Sequence, residues 1–176
     1  GSRKRALSPE KGTNGVAFSA DYKYYIHTFE DSNTPTQYNL RSTATGKVIR
    51  PIEDNAGLKN KLSNYSLATK EFSTIEVNGN ELNMWMIKPK DFDPNKKYPM
   101  LVNFYERSSH TLHRHRAPYP HRSTINYSYY SNRGYVIFNP DVPYRIGYPG
   151  ESAYNAVIPG VTSLIEKGFV DADNIG

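Results

Sequence analysis

The chain has 176 residues, 37% hydrophobic and 13% aromatic, enough apolar material for one ordinary domain or two small ones and too much for global disorder. Its net charge of +5 is concentrated in Arg3-Lys4-Arg5 and in the stretch from His110 to Arg122, which argues against the continuous basic face of a nucleic-acid binder. The absence of cysteine removes disulfides, thiol catalysis and cysteine metal sites, and fits the cytosol and a bacterial periplasm equally. No apolar run approaches the roughly 20 residues a membrane span needs, and no signal peptide is visible, so neither nucleic acid nor a membrane is an expected partner.

Residues 15–18 (Gly-Val-Ala-Phe) read as a short strand, and residues 19–23 supply turn chemistry. A second strand covers 24–29, rich in aromatic and β-branched types, and a Ser/Asn/Thr/Pro loop follows at 31–35. A third strand is expected at 36–40. The turn at 43–47 then leads into Val48-Ile49. Four short strands in succession make one antiparallel blade. No internal repeat is visible, so a whole propeller is not expected, and a lone blade cannot bury both of its faces.

Residues 55–65 read as a short helix, with Asn55 as its cap and Leu58 and Leu62 on one face. Strands at 72–77 and 82–87 are joined at Asn78-Gly79-Asn80, a hairpin signal. After the polar loop at 88–98, residues 100–105 form a nearly continuous apolar strand, as suits a sheet covered on both faces. Residues 110–122 are irregular. A helix is expected at 123–132, stopped by Gly134, and a buried strand at 135–138, ended by Pro140. The clearest helix is 152–167, with apolar residues three and four apart, Pro159 as an expected kink and Gly168 as the residue that ends it. Residues 171–176 open another strand. The alternation from Met100 onward predicts a parallel βαβαβ sheet, hence an α/β fold.

Several segments carry a resemblance. They are Phe92-Asp93-Pro94-Asn95-Lys96-Lys97-Tyr98-Pro99 before a buried strand, Tyr105 at that strand's end, Gly134-Tyr135-Val136 opening the next, and Lys167-Gly168-Phe169-Val170-Asp171. Gly12-Thr13-Asn14 and Phe18-Ser19-Ala20-Asp21 add to them. Together the chain resembles the prolyl oligopeptidase family of serine peptidases, in its dipeptidyl peptidase IV-like branch. The resemblance implies a partial α/β-hydrolase sheet preceded by one antiparallel β-propeller blade. Residues 1–54 would be the last blade, and 55–176 the N-terminal half of the peptidase domain. The implied activity is hydrolysis of short peptides through an acyl-enzyme, with no cofactor. The implied partners are a peptide substrate and the rest of the same polypeptide.

In this family the nucleophilic serine sits on a G-x-S-x-G elbow. The chain would stop upstream of that elbow, with its Ser-Asp-His triad beyond residue 176, and would be inactive alone. Tyr105 matches the family position whose hydroxyl helps hold the oxyanion. Two departures stand out: Glu106-Arg107-Ser108 replaces the usual Gly-Gly-Pro or Ala-Gly-Pro, and Asp141-Val142-Pro143-Tyr144-Arg145-Ile146-Gly147 replaces Asp-x-Arg-Gly-x-Gly. The alternative reading is a non-catalytic propeller/hydrolase-like interaction module.

His110, His113, His115 and His121 interleave with Arg114, Arg116 and Arg122. Imidazoles suit zinc, yet no helix aligns these and no nearby cysteine or carboxylate completes a shell, so no metal is expected. The stretch reads instead as a polar loop lining a cleft, where guanidinium groups can pair with substrate carboxylates. Gly147-Tyr148-Pro149-Gly150 reads as a turn before a helix rather than a phosphate loop, since neither a Walker pattern nor G-x-G-x-x-G is present.

Overall fold

Local turn chemistry sets the first sheet. The computed structural model describes residues 5–8, 10–65, 67–105, 115 and 125–176, which form two compact units, the first running to Tyr65 and including His115, the second holding the rest. In the first unit β1 (Thr13–Phe18), β2 (Tyr24–Asp31), β3 (Thr34–Ser42) and β4 (Val48–Glu53) form an antiparallel meander in chain order. Ser19 and Asp21 close the β1–β2 turn: the Ser19 hydroxyl donates to Asp21 Oδ1 (2.7 Å), and the same oxygen accepts from the Lys23 N–H (3.1 Å). Asp31 closes the β2–β3 turn by accepting from the Asn33 N–H at 2.8 Å.

Alternation along β2 puts Tyr25 and His27 on a buried face and leaves Tyr24 and Ile26 exposed. The N-terminal segment covers the buried face: Tyr25 donates its hydroxyl to the Leu7 carbonyl (3.0 Å), and Arg41 pairs with Glu10. Helix α1 (Ala56–Ser63) also falls in this unit, although the sequence suggests that it opens the second domain. It has no buried residue: on the expected Leu58–Leu62 face Leu58 is exposed and Leu62 half-buried. Asn55 does not cap it through its side chain. Asn55 is left-handed (φ 52°) and gives its amide to the Thr36 carbonyl, while Asp54 Oδ1 accepts from the Ala56 N–H at 2.9 Å.

The second unit is a five-stranded mixed sheet of β5 (Lys70–Val77), β6 (Asn80–Ile87), β7 (Tyr98–Val102), β8 (Val136–Pro140) and β9 (Val170–Ile175), in the order β5-β6-β8-β7-β9. The β5–β6 hairpin turns on Asn78 and Gly79, both at positive φ (51° and 77°), as a type I′ turn demands. Strand β6 is antiparallel to β8, and β7 is parallel to both β8 and β9. The expected parallel core is therefore present.

Helix α3 (Pro149–Glu166) covers one face of this sheet through Leu164, packed with Met84, Met100, Val136 and Phe138. On a second cluster, Tyr127 and Tyr130 of α2 (Tyr127–Ser131) pack against Trp85, Ile87 and Ile137. Helix α3 starts three residues earlier than the sequence suggests, because Pro149 is pre-shaped for a first turn, and it runs on through Pro159. Gly168 ends it at φ 89°. Among the described residues no helix is long and apolar enough to cross a membrane.

Candidate active site

In open α/β sheets, ligands collect at the carboxyl ends of the parallel strands. At that end β7 leaves the ladder at Val102, three residues earlier than expected, so Tyr105 lies beyond the strand rather than on its last position. The departing chain is anchored by polar groups at the strand ends. The Asn103 N–H donates to the Phe138 carbonyl (2.9 Å), and its side-chain amide donates to the Tyr127 hydroxyl (2.9 Å). Asn139, itself buried, donates its amide to the Asn103 carbonyl. Tyr105 is 85% exposed, and its carbonyl accepts from the Tyr144 hydroxyl at 2.7 Å.

Tyr144 belongs to the loop after β8. Val142 plugs that loop into the core at 0% exposed, and the Asp141 N–H bonds the Asn83 carbonyl at 2.9 Å. Sequence reasoning missed Asn103, Asn139 and Tyr144. One signal was available: Asn interrupts both apolar strands at corresponding places, in Leu101-Val102-Asn103 and in Ile137-Phe138-Asn139. Beside this loop a cavity of about 570 Å³ lies between the β5–β6 turn, Arg145 and the first turns of α3. There Arg145 pairs with Glu151 (3.1 Å) and stacks over the Tyr148 ring (3.8 Å).

Glu106, Arg107 and Ser108 lie outside the described residues, as do His110, His113, His121, Arg114, Arg116 and Arg122; of the histidine stretch His115 alone is described. Among the described residues no three His, Cys, Asp or Glu side chains group as metal ligands.

The first unit buries a separate polar cluster. His27, 0% exposed, donates from Nε2 to Asn14 Oδ1 at 2.8 Å, which leaves Nδ1 a buried acceptor with no partner among the described residues. Burial, then the positive charge of Arg41, holds its imidazole below the usual value, against the pull of Glu10. Burial works against ionisation of Glu10, but the Arg41 hydrogen bond, a backbone hydrogen bond and nearby positive charge outweigh it and keep the carboxyl low.

No family profile matches the chain. The chain is 33% identical over 100 residues to dipeptidyl peptidase 4 of Sus scrofa, covering 56% of this chain and 13% of that one. It is 31% identical over 135 residues to a probable dipeptidyl-aminopeptidase B of Podospora anserina, covering 74% and 14%. The crystal structure of Porphyromonas gingivalis dipeptidyl peptidase 4 superposes with a TM-score of 0.82 at 30% identity, over 99% of this chain and 26% of that one. This chain is a relative of the dipeptidyl peptidases. The resemblance read from its sequence is borne out, and so is the fold: a blade-like antiparallel sheet followed by part of an α/β-hydrolase sheet. A Pyrococcus horikoshii acylaminoacyl peptidase, 18% identical with a TM-score of 0.62 over 95% of this chain and 27% of that one, shares the fold. The chain spans 13% and 14% of the two curated relatives' lengths, so what it shares with them is one segment.

Proposed function

We propose that this chain is part of a serine peptidase that hydrolyses short peptides through an acyl-enzyme, and that the Tyr105 hydroxyl donates to the oxyanion. The observation that carries this is the placement of Tyr105: just past the carboxyl end of a parallel strand, its main chain tethered and the residue 85% exposed. When a serine attacks a peptide carbonyl, the oxygen gains a full negative charge. A phenol O–H waiting at that point stabilises it without reorganising. The first unit would be the last blade of a propeller and the second the opening half of a hydrolase domain. The 176 residues contain no G-x-S-x-G, so the nucleophile and its Asp and His partners would come from other sequence of the full-length protein, and the chain alone would be inactive.

The test is Tyr105→Phe in the full-length protein. Loss of one oxyanion donor costs on the order of 3 kcal/mol in the transition state, roughly a hundredfold in kcat, with KM nearly unchanged. Equal kcat in two proteins of equal thermal stability would make Tyr105 a packing residue.

A further inference from the structure

Past Asn103 no ladder hydrogen bond among the described residues holds the chain that carries Tyr105, because β7 ends at Val102. The Tyr105 ring, 85% exposed, gains little from packing. At Tyr105 the tie among the described residues is the hydroxyl of Tyr144, 39 positions along the chain, at 2.7 Å from the Tyr105 carbonyl.

That hydroxyl is a fixed point. The Tyr144 ring packs on the cluster of Val142, Ala156 and Val157, which joins the loop after β8 to α3. The backbone around it is pinned by the Asp141 N–H on the Asn83 carbonyl (2.9 Å) and the Tyr144 N–H on the Val142 carbonyl (3.0 Å). Holding the Tyr105 carbonyl restrains the peptide plane that leaves its Cα, and with it the direction of the Cα–Cβ bond.

We propose that Tyr144 is a positioning residue for Tyr105: its hydroxyl holds the main chain so that the Tyr105 phenol stands ready where the oxyanion forms. The inference rests on the oxyanion role argued above. A donor contributes most when it need not reorganise, and a misplacement of about 1 Å costs on the order of a hundredfold in rate. Removing the tether while the ring stays packed should cost less, roughly tenfold. The bond is solvent-exposed, so water can take the place of the lost hydroxyl and stability should change little.

The experiment is a double-mutant cycle in the full-length protein with Tyr105→Phe, Tyr144→Phe and the pair, read as kcat, KM and affinity for a peptide boronate that places a negative oxygen in the site. Tyr144→Phe should lower kcat about tenfold, leave KM and thermal midpoint nearly unchanged, and weaken the boronate by a similar factor. In the Tyr105→Phe background it should do nothing further, because there is no phenol left to position. A large Tyr105→Phe effect with a silent Tyr144→Phe overturns this inference alone. So does full additivity, or a Tyr144→Phe loss that follows a fall in thermal midpoint. A silent Tyr105→Phe overturns both this inference and the oxyanion role beneath it.

Discussion

A methyl group at Gly160 tests how α3 is seated on the sheet. Gly160 follows Pro159 inside the helix, and a Cβ there would lie 3.0 Å from Phe138 Cζ and 3.2 Å from Cε1. Carbon–carbon contacts are most favourable at about 3.5–4.0 Å, so the shortfall is about half an ångström. Phe138 is 0% exposed on β8, between β6 and β7, and its ring has nowhere to retreat. Overpacking of this kind costs about 1–3 kcal/mol. Helix propensity pulls the other way, because alanine is favoured over glycine by about 1 kcal/mol in a helix interior. The expected net effect of Gly160→Ala is destabilisation of the second unit by about 1 kcal/mol. Gly150→Ala in the same helix is the control, since an added Cβ there meets nothing within 4 Å and should be neutral or mildly stabilising. Urea unfolding followed by the fluorescence of Trp85, the chain's single tryptophan and 4% exposed on β6, reads this unit. A Gly160→Ala midpoint that rises as far as that of Gly150→Ala, at unchanged slope, would refute the packing argument. In a Phe138→Leu background the cost should largely vanish, since the ring atoms that meet the methyl are gone.

The first unit should lose stability in acid. His27 is held below its usual 6.5 and Glu10 below its usual 4.5, so both bind protons more readily in the unfolded chain. Stability is then complete above about pH 6.5 and falls as the pH drops, through His27 first and Glu10 next. His27→Gln should flatten the upper part of that fall in melts followed by far-UV circular dichroism; an unchanged slope would refute the role of His27. For the 176-residue chain by itself, a fluorophosphonate probe should label no unique serine and a proline-containing amide should not turn over. Stoichiometric labelling at one serine accompanied by turnover would overturn the proposal that the nucleophile comes from other sequence and that the chain alone is inactive.

Much of the fold was legible because its signals are local. Asn78-Gly79 dictates its hairpin through positive φ, the apolar runs read at 100–105 and 135–138 mark β7 and the fully buried β8, and the periodicity read over 152–167 marks most of α3. Errors arose where a local signal has a distant competitor. Asn55 looks like a cap, but its side chain is drawn to the Thr36 carbonyl on β3, and neighbouring Asp54 takes over at the helix start. The strand expected to reach Tyr105 stops at Val102: Asn103 makes a last bond to β8 through its N–H on the Phe138 carbonyl, then gives its side chain to Tyr127 and its carbonyl to the Asn139 side chain.

The same reasoning separates what could be seen of the site from what could not. Tyr105 could be named from its motif, since its place after an apolar strand is encoded within a few residues. Tyr144 could not, because its relation to Tyr105 exists only once β7 and β8 lie side by side in parallel, with both loops leaving from one end of the sheet. Parallel pairing therefore does more here than build a core. It brings the main-chain carbonyl of the exposed Tyr105 within reach of a hydroxyl anchored on the Val142 cluster, so packing of α3 can reach a residue on the surface. Perturbations that loosen that cluster from the α3 side, such as Ala156→Gly, should then act on Tyr105 through Tyr144, and their effect on kcat should disappear once Tyr144 is phenylalanine. A loss of kcat that persists in the Tyr144→Phe background would show that α3 reaches the site by another route.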